Sequence, residues 1–303
     1  MLHPRQPQLL AVLHGLVRLR RPRPVPGCPR LLPQLPPRPA LPGARADPVA
    51  LTPASSSGGT IVDVPTGRHL VYQTSLMSAL LDGVYDGDTT VATLLEHGDF
   101  GLGTFNALDG EMLILDGVCY RMRVDGTVAP AAGADLSPFA VVTEFVPTVT
   151  IPVAGPATRD QAVALINERL QSANYLYAVR LTGEFEWVRV RAVQRQEKPY
   201  QPMSEAIRGE KTLEFGSSTG VVAGFRTPLY GQGIGVPGGH VHFIDADRQH
   251  GGHVLDFALL SGTIEICIGT DLHLELPLTA EFKYADLSPD NLADQIEQTE
   301  NHR

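Results

Sequence analysis

Three histidines carry the strongest chemical signal in the chain. They lie in GGHVHFIDADRQHGGHVLDF (238–257), where His240 and His242 are two residues apart and His253 follows a polar, Gly-rich stretch, Asp245 to Gly252. On a strand, alternate side chains leave the same face, so His240 and His242 project together. A hairpin centred between Asp247 and Arg248 sets His242 opposite His253, and directly opposed residues have Cβ atoms ~5 Å apart. Three imidazoles then converge on one point. Three neutral histidines with an open fourth position are the ligand set of a catalytic zinc. A register slip of one residue would move His253 to the other face. The competing readings are two surface histidines on a strand, and a cupin-like pattern. The cupin pattern needs a Glu shortly after H-x-H, where this chain offers only Asp245 and Asp247. His250 in the turn, the isolated His273 and His97 at a helix end are expected to face solvent.

Glu111 and Arg191 are the candidates outside the hairpin. Glu111 follows the turn Leu108-Asp-Gly110 at the head of an apolar strand. There it is either a charge that blocks edge pairing or a carboxylate aimed into a site. Arg189 and Arg191 share a strand face with Phe185 and Trp187. Such an arginine either covers apolar surface with its stem or clamps a carboxylate with its planar fork. Spacing leaves both choices open.

The elements that must hold these residues read as strands with few helices. Short helices are expected at Thr74–Leu81 and Thr89–Glu96, the second capped by Asp88. Thr158-Arg-Asp-Gln161 is a capping box that opens a helix over Arg159–Gln171, with Ala162, Val163, Ile166 and Leu170 on one stripe. Strands are expected at Phe100–Asn106, Met112–Leu115, Val118–Val124, Phe139–Val146, Tyr175–Leu181, Glu184–Val193, Gly220–Arg226, His240–Ile244, Val254–Leu260, Thr263–Ile268 and Leu272–Leu276. The triplets LDG (108–110), LDG (115–117) and VDG (124–126) mark turns between them. Helices do not alternate with strands, so the fold class is α+β (mixed α/β), built on largely antiparallel or mixed sheets. The 303 residues suggest two domains. The division expected is 60–155, carrying the LDGE turn, and 156–303, carrying Arg191, the histidine hairpin and an acidic tail.

Composition limits the partners. Residues 1–50 hold eight Arg, twelve of the 25 Pro and one acid, Asp47, whereas residues 51–303 carry a net charge of −16. Twelve prolines block helix and inner strand alike, so 1–59 read as a disordered leader ending in the linker SSSGG (55–59). A body that acidic repels nucleic acid and anionic membrane. No apolar run approaches the ~18 residues of a membrane helix. Cys28, Cys119 and Cys267 are odd in number and far apart, which excludes a disulfide scaffold.

TSLMSALLDGVYDG (74–87), HGDFGLGTFNALDGEM (97–112), VRAVQRQEKPY (190–200) and the histidine stretch together resemble the alpha-acetolactate decarboxylase family, from about residue 60 onward. The resemblance implies a two-domain fold on mixed sheets, a homodimer, and a zinc ion held by His240, His242 and His253. It implies catalytic roles for Glu111 and Arg191, and a threonine, Thr104, lining the site. A tail glutamate reaching back to the zinc matches Glu300, with Glu297 as the substitute. The implied reaction converts the anion acetolactate to acetoin and carbon dioxide, with zinc acting as a Lewis acid toward the ketone and hydroxyl oxygens. Arg191, Glu111 or a water would supply the proton that completes acetoin. The rival classes are a zinc hydrolase with Glu111 as general base, and a non-catalytic metal- or sugar-binding module. A cytoplasmic location is expected.

Overall fold

The computed structural model describes residues 68–301, and the expectations for 1–59 lie outside them. Strands dominate, in two seven-stranded sheets. The first runs, in spatial order, Asp271–Glu275, Leu70–Thr74, Phe139–Thr143, Phe100–Thr104, Glu111–Leu115, Val118–Met122 and Val128–Pro130. Its pairs are antiparallel except Leu70–Thr74 with Asp271–Glu275, which is parallel. The second is centred on two long strands, Leu176–Ala192 and Gly251–Gly269, which pair with each other; Ser218–Thr227 and Gly238–Asp245 link them on the other side. The α+β class read from the sequence is what the chain adopts.

Alternation along the strands decides what each sheet covers. In Glu111–Leu115, Leu113 and Leu115 enter the core between the sheets, while Met112 and Ile114 pack on the outer side with Val91 and Leu94 of the helix Val91–Leu95. In Gly238–Asp245, Val241 and Phe243 join the core that includes Ala162, Leu165 and Ile166 of the helix Arg159–Arg169. Ile244, on the face shared by His240 and His242, belongs to the inter-sheet core. The histidines therefore point between the sheets.

Several elements differ from expectation for local reasons. Leu70–Thr74 is a strand, and the helix after it starts only at Met77. The pattern LVYQT is short and ends in polar residues, and both its partners, Phe139–Thr143 and Asp271–Glu275, are distant in sequence. Thr90, not Asp88, caps the next helix, by accepting from Thr93 N. Asp88 instead accepts from Leu278 N at 3.1 Å. The capping box at Thr158 and Gln161 forms as expected, but Val163 on the expected stripe is 44% exposed. The expected breaks near Gly183 and Gly262 are absent, because each falls inside a continuous strand. These glycines face each other, and a Cβ on Gly183 would lie 2.4 Å from Ser261 O. They are sites of close backbone approach rather than turns.

Candidate active site and metal centre

The hairpin register is the one the sequence spacing implies: His242 pairs with His253, Phe243 with Gly252 and Ile244 with Gly251. Asp245 fixes the turn, since its carboxylate accepts from Gln249 N at 2.7 Å and meets His250 Nδ1 at 3.0 Å. His253 also pairs with Arg191 on its other side. His242, His253 and Arg191 thus form a row across three neighbouring strands. Ring centroids of His240, His242 and His253 lie 5.1–5.4 Å apart. One ligand atom from each falls within 4.8 Å of the others.

The first sheet brings the acid. Thr104 pairs with Glu111, and the Thr104 hydroxyl donates to Gly110 O at 2.9 Å, closing the LDGE turn. Gly110 has φ +110, and a Cβ there would lie 2.7 Å from Met122 O, so the turn requires glycine. Glu111 Oε2 then lies 3.6 Å from His242 Nε2. Its strand is an inner strand of the sheet, not an edge, which removes the reading of Glu111 as an edge-blocking charge. The next residue, Met112, offers its carbonyl to His242 Nδ1 at 2.8 Å.

Arg189 and Arg191 leave the strand on one face but end in different surroundings. Arg189 is 44% exposed and pairs with Glu214 at 2.8 Å. Arg191 is 1% exposed and donates to Glu210 Oε2 at 2.9 Å and to the carbonyl of Thr299. Its buried Nε has no hydrogen-bond partner. The tail closes the arrangement. Ile296, Thr299 and Glu300 are buried, and Glu300 Oε2 lies 3.6 Å from Arg191, 3.7 Å from His240 and 3.9 Å from His253. Glu300 is thus the tail carboxylate that reaches the histidines, while Glu297 lines a different cavity with Arg159 and Gly239. The expectations for the other histidines hold in part. His250 and His273 are exposed, but His97 is half-buried and stacked on Tyr72 with centroids 3.7 Å apart.

The residues fit a metal ion. A carbonyl can only accept, so His242 Nδ1 carries the proton and Nε2 presents its lone pair. That Nε2 is buried without any hydrogen-bond partner, the state expected of a ligand atom aimed at a cation. Burial pushes His242 down to about 4 and His240 well below the usual imidazole range, keeping both neutral. Burial likewise pushes Glu111 and Glu300 up to about 7; Arg191 opposes this, and neighbouring carboxylates add to it. One guanidinium among Glu111, Glu300 and Glu210 leaves negative charge that a divalent cation would balance. The space left between these side chains is only about 20 Å³, room for about one water.

The fold and the triad, with His242 and His253 buried and His240 partly so, define a mixed α/β protein with a metal-competent site between two sheets. A family model for alpha-acetolactate decarboxylase matches residues 71–289. The Bacillus subtilis (strain 168) alpha-acetolactate decarboxylase is 45% identical over 230 residues, covering 76% of this chain and 90% of the relative. The Klebsiella aerogenes alpha-acetolactate decarboxylase is also 45% identical, over 77% of this chain and 89% of its own length. The crystal structure of the Bacillus subtilis strain 168 protein superposes with a TM-score of 0.75 over 77% of this chain and 99% of that one. The chain belongs to the alpha-acetolactate decarboxylase family.

Three contributors escaped sequence reasoning: Glu210, the Thr299 carbonyl and the Met112 carbonyl. Two are backbone groups, which no residue type announces. Glu210 meets Arg191 because Ala192 pairs with Lys211, a register that composition does not reveal.

Proposed function

We propose that this protein is a zinc-dependent carboxy-lyase that converts 2-acetolactate to acetoin and carbon dioxide, with His240, His242 and His253 as metal ligands. The observation that carries the reading is the orphaned, buried Nε2 of His242 among two further imidazoles, with Glu111, Arg191 and Glu300 alongside, in a chain of this family. A bound zinc supplies Lewis-acid stabilisation of charge developing on the substrate's ketone oxygen.

The chain's own residues do the rest. Arg191 brings a cation beside the triad, and its unpaired Nε–H is a donor available to an anionic substrate. Glu210 and the Thr299 carbonyl hold its other nitrogens, so the fork is fixed before substrate arrives. Apolar walls, Phe139, Met77, Leu80 and Met203, exclude water and strengthen those contacts. When the bond to the carboxylate breaks, its electron pair moves onto the ketone and carbon dioxide leaves. A proton must then reach the same carbon. Glu111 and Glu300, held near neutral pKa by burial, are groups that can keep and release one. Thr104 shapes the wall by holding the LDGE turn.

A homodimer, a cytoplasmic location and the division into 60–155 and 156–303 complete the proposal, with Asp271–Glu275 crossing back to the first sheet. No helix among the described residues is long and apolar enough to cross a membrane. The test is to incubate the purified protein with racemic acetolactate and score carbon dioxide and acetoin. Formation of both supports the reading. Hydrolysis of esters or amides without carbon dioxide would favour a hydrolase with Glu111 as base.

A further inference from the structure

TSLMSALLDGVYDG (74–87), HGDFGLGTFNALDGEM (97–112) and VRAVQRQEKPY (190–200) hold several residues to which the reaction above gives no task. In the fold these segments lock together. The Asn106 side chain pairs with both backbone groups of Gly87: its Nδ2 donates to Gly87 O at 3.0 Å, and its Oδ1 accepts from Gly87 N at 2.9 Å. Ala107 N donates to Tyr85 O at 2.8 Å, and Ala107 O accepts from Gln196 N at 2.7 Å. Two tyrosines join the outer segments. Tyr85 donates its hydroxyl to Gln201 O at 2.8 Å, and Tyr200 donates to Asp86 at 3.0 Å.

What the three segments enclose is an unfavourable backbone. Ala107 has φ +61 and Leu108 has φ +52, the left-handed region in which a Cβ crowds the following carbonyl oxygen. Such residues persist only where their surroundings over-determine them, and they concentrate at functional sites. Here Gly87, Tyr85 and Gln196 hold the front of the turn. Asp109 holds its back, through Arg121 and Arg123 at 3.0 Å each.

The turn sets positions on both sides of the site. Leu108 lines the space at the triad, whereas Asn106 does not border it. Glu111 follows Ala107 by four residues, and Arg191 precedes Gln196 by five. The bond from Gln196 to Ala107 therefore ties the segment that carries the site carboxylate, in the first sheet, to the one that carries the guanidinium, in the second.

We propose that Asn106 is a positioning residue for decarboxylation: its paired hydrogen bonds to Gly87 fix the left-handed turn that sets Glu111 against Arg191 and the histidines. It touches no reacting atom and acts through Glu111. This rests on the decarboxylase reading above and adds a residue to it. A displacement of about 1 Å at a reacting group can cost on the order of 100-fold in rate. Loss of one clamp among several should cost roughly tenfold in kcat, with KM held within about twofold because the groups that meet the substrate remain.

A double-mutant cycle tests this. Acetoin formation is measured for the zinc-loaded unaltered protein, Asn106→Ala, Glu111→Gln and the double variant, with bound zinc and a melting curve for each. A residue that acts through Glu111 loses its effect once that carboxylate is gone. Asn106→Ala should therefore lower kcat roughly tenfold in the unaltered background and less than about threefold beside Glu111→Gln, with zinc content unchanged. Equal losses in both backgrounds would make Asn106 a support of the fold at large and overturn the proposal. A folded, zinc-loaded Asn106→Ala with normal kcat overturns it as well. If Asn106→Ala does not fold or does not hold zinc, Asn106→Asp decides by the same cycle. That side chain still accepts from Gly87 N but sets a carboxylate oxygen against Gly87 O, so kcat should fall, and again only where Glu111 is present. An unaltered protein inactive toward acetolactate would sink the decarboxylase reading itself, a separate outcome.

Discussion

Glu111→Gln is nearly isosteric and separates a site carboxylate from a structural one. Burial raises the Glu111 carboxyl to about 7 from an ordinary 4.5. At about 1.4 kcal/mol per pKa unit, ionising it in the folded, metal-free chain costs on the order of 3 kcal/mol. A group whose folded pKa is raised contributes stability that is complete below the unfolded value and lost as pH rises through the folded value. Metal-free protein should therefore lose up to about 3 kcal/mol from this group between pH 4.5 and 8. The Gln variant lacks that loss, so its advantage over the unaltered protein should grow across the same window. For a chain of this size, 1 kcal/mol moves Tm by roughly 2–4 °C. The difference at pH 8 should then reach several degrees in favour of Gln. Glu300 titrates nearby and raises Glu111 further, so the figure belongs to the pair. The assay is a set of melting curves from pH 5 to 8 in chelator, beside turnover with zinc restored. Turnover should fall ~100-fold or more, the size of a lost acid–base group. A Gln variant with normal turnover, or one less stable than the parent at pH 8, would refute the reasoning.

Arg191→Lys keeps the charge but cannot reach Glu210 and the Thr299 carbonyl while presenting a further N–H; turnover should drop with zinc content unchanged, and loss of zinc instead would make Arg191 a structural support of the triad. Deleting residues 297–303 removes Thr299 and Glu300 but keeps Ile296 in the core, so turnover should fall far more than Tm; equal losses in both would reduce the tail to packing. A chain that begins at Ser56 should keep both Tm and turnover, because residues 1–55 are rich in Pro and Arg and poor in core-forming pattern; a large fall in either would overturn that reading.

The hairpin was legible because its information is local. Period-two spacing and one polar turn determine that His240, His242 and His253 converge, and the register follows from the turn centre. The helix at Arg159 was legible for the same reason, since a capping box is complete within four residues. What the sequence hid lies in long-range pairing. Leu70–Thr74 becomes a strand between two distant partners, Phe139–Thr143 and Asp271–Glu275. Gly183 and Gly262 look like turn residues until their antiparallel strands are seen to pair there in close backbone contact. Glu111 could be named as a candidate, but its choice between edge charge and site acid depended on which strands flank it. Glu300 likewise entered through family resemblance, and its burial against Arg191 rests on Ile296 docking the tail.

The central claim is that the triad holds the metal on which decarboxylation depends. It is tested most directly by titrating zinc into chelated protein while measuring bound metal and acetoin formation together. The account predicts saturation at one zinc per chain, with acetoin formation rising in proportion to occupancy, and neither response in His242→Ala. Full acetoin formation with metal content below about a tenth of an ion per chain, or an active His242→Ala, would contradict it.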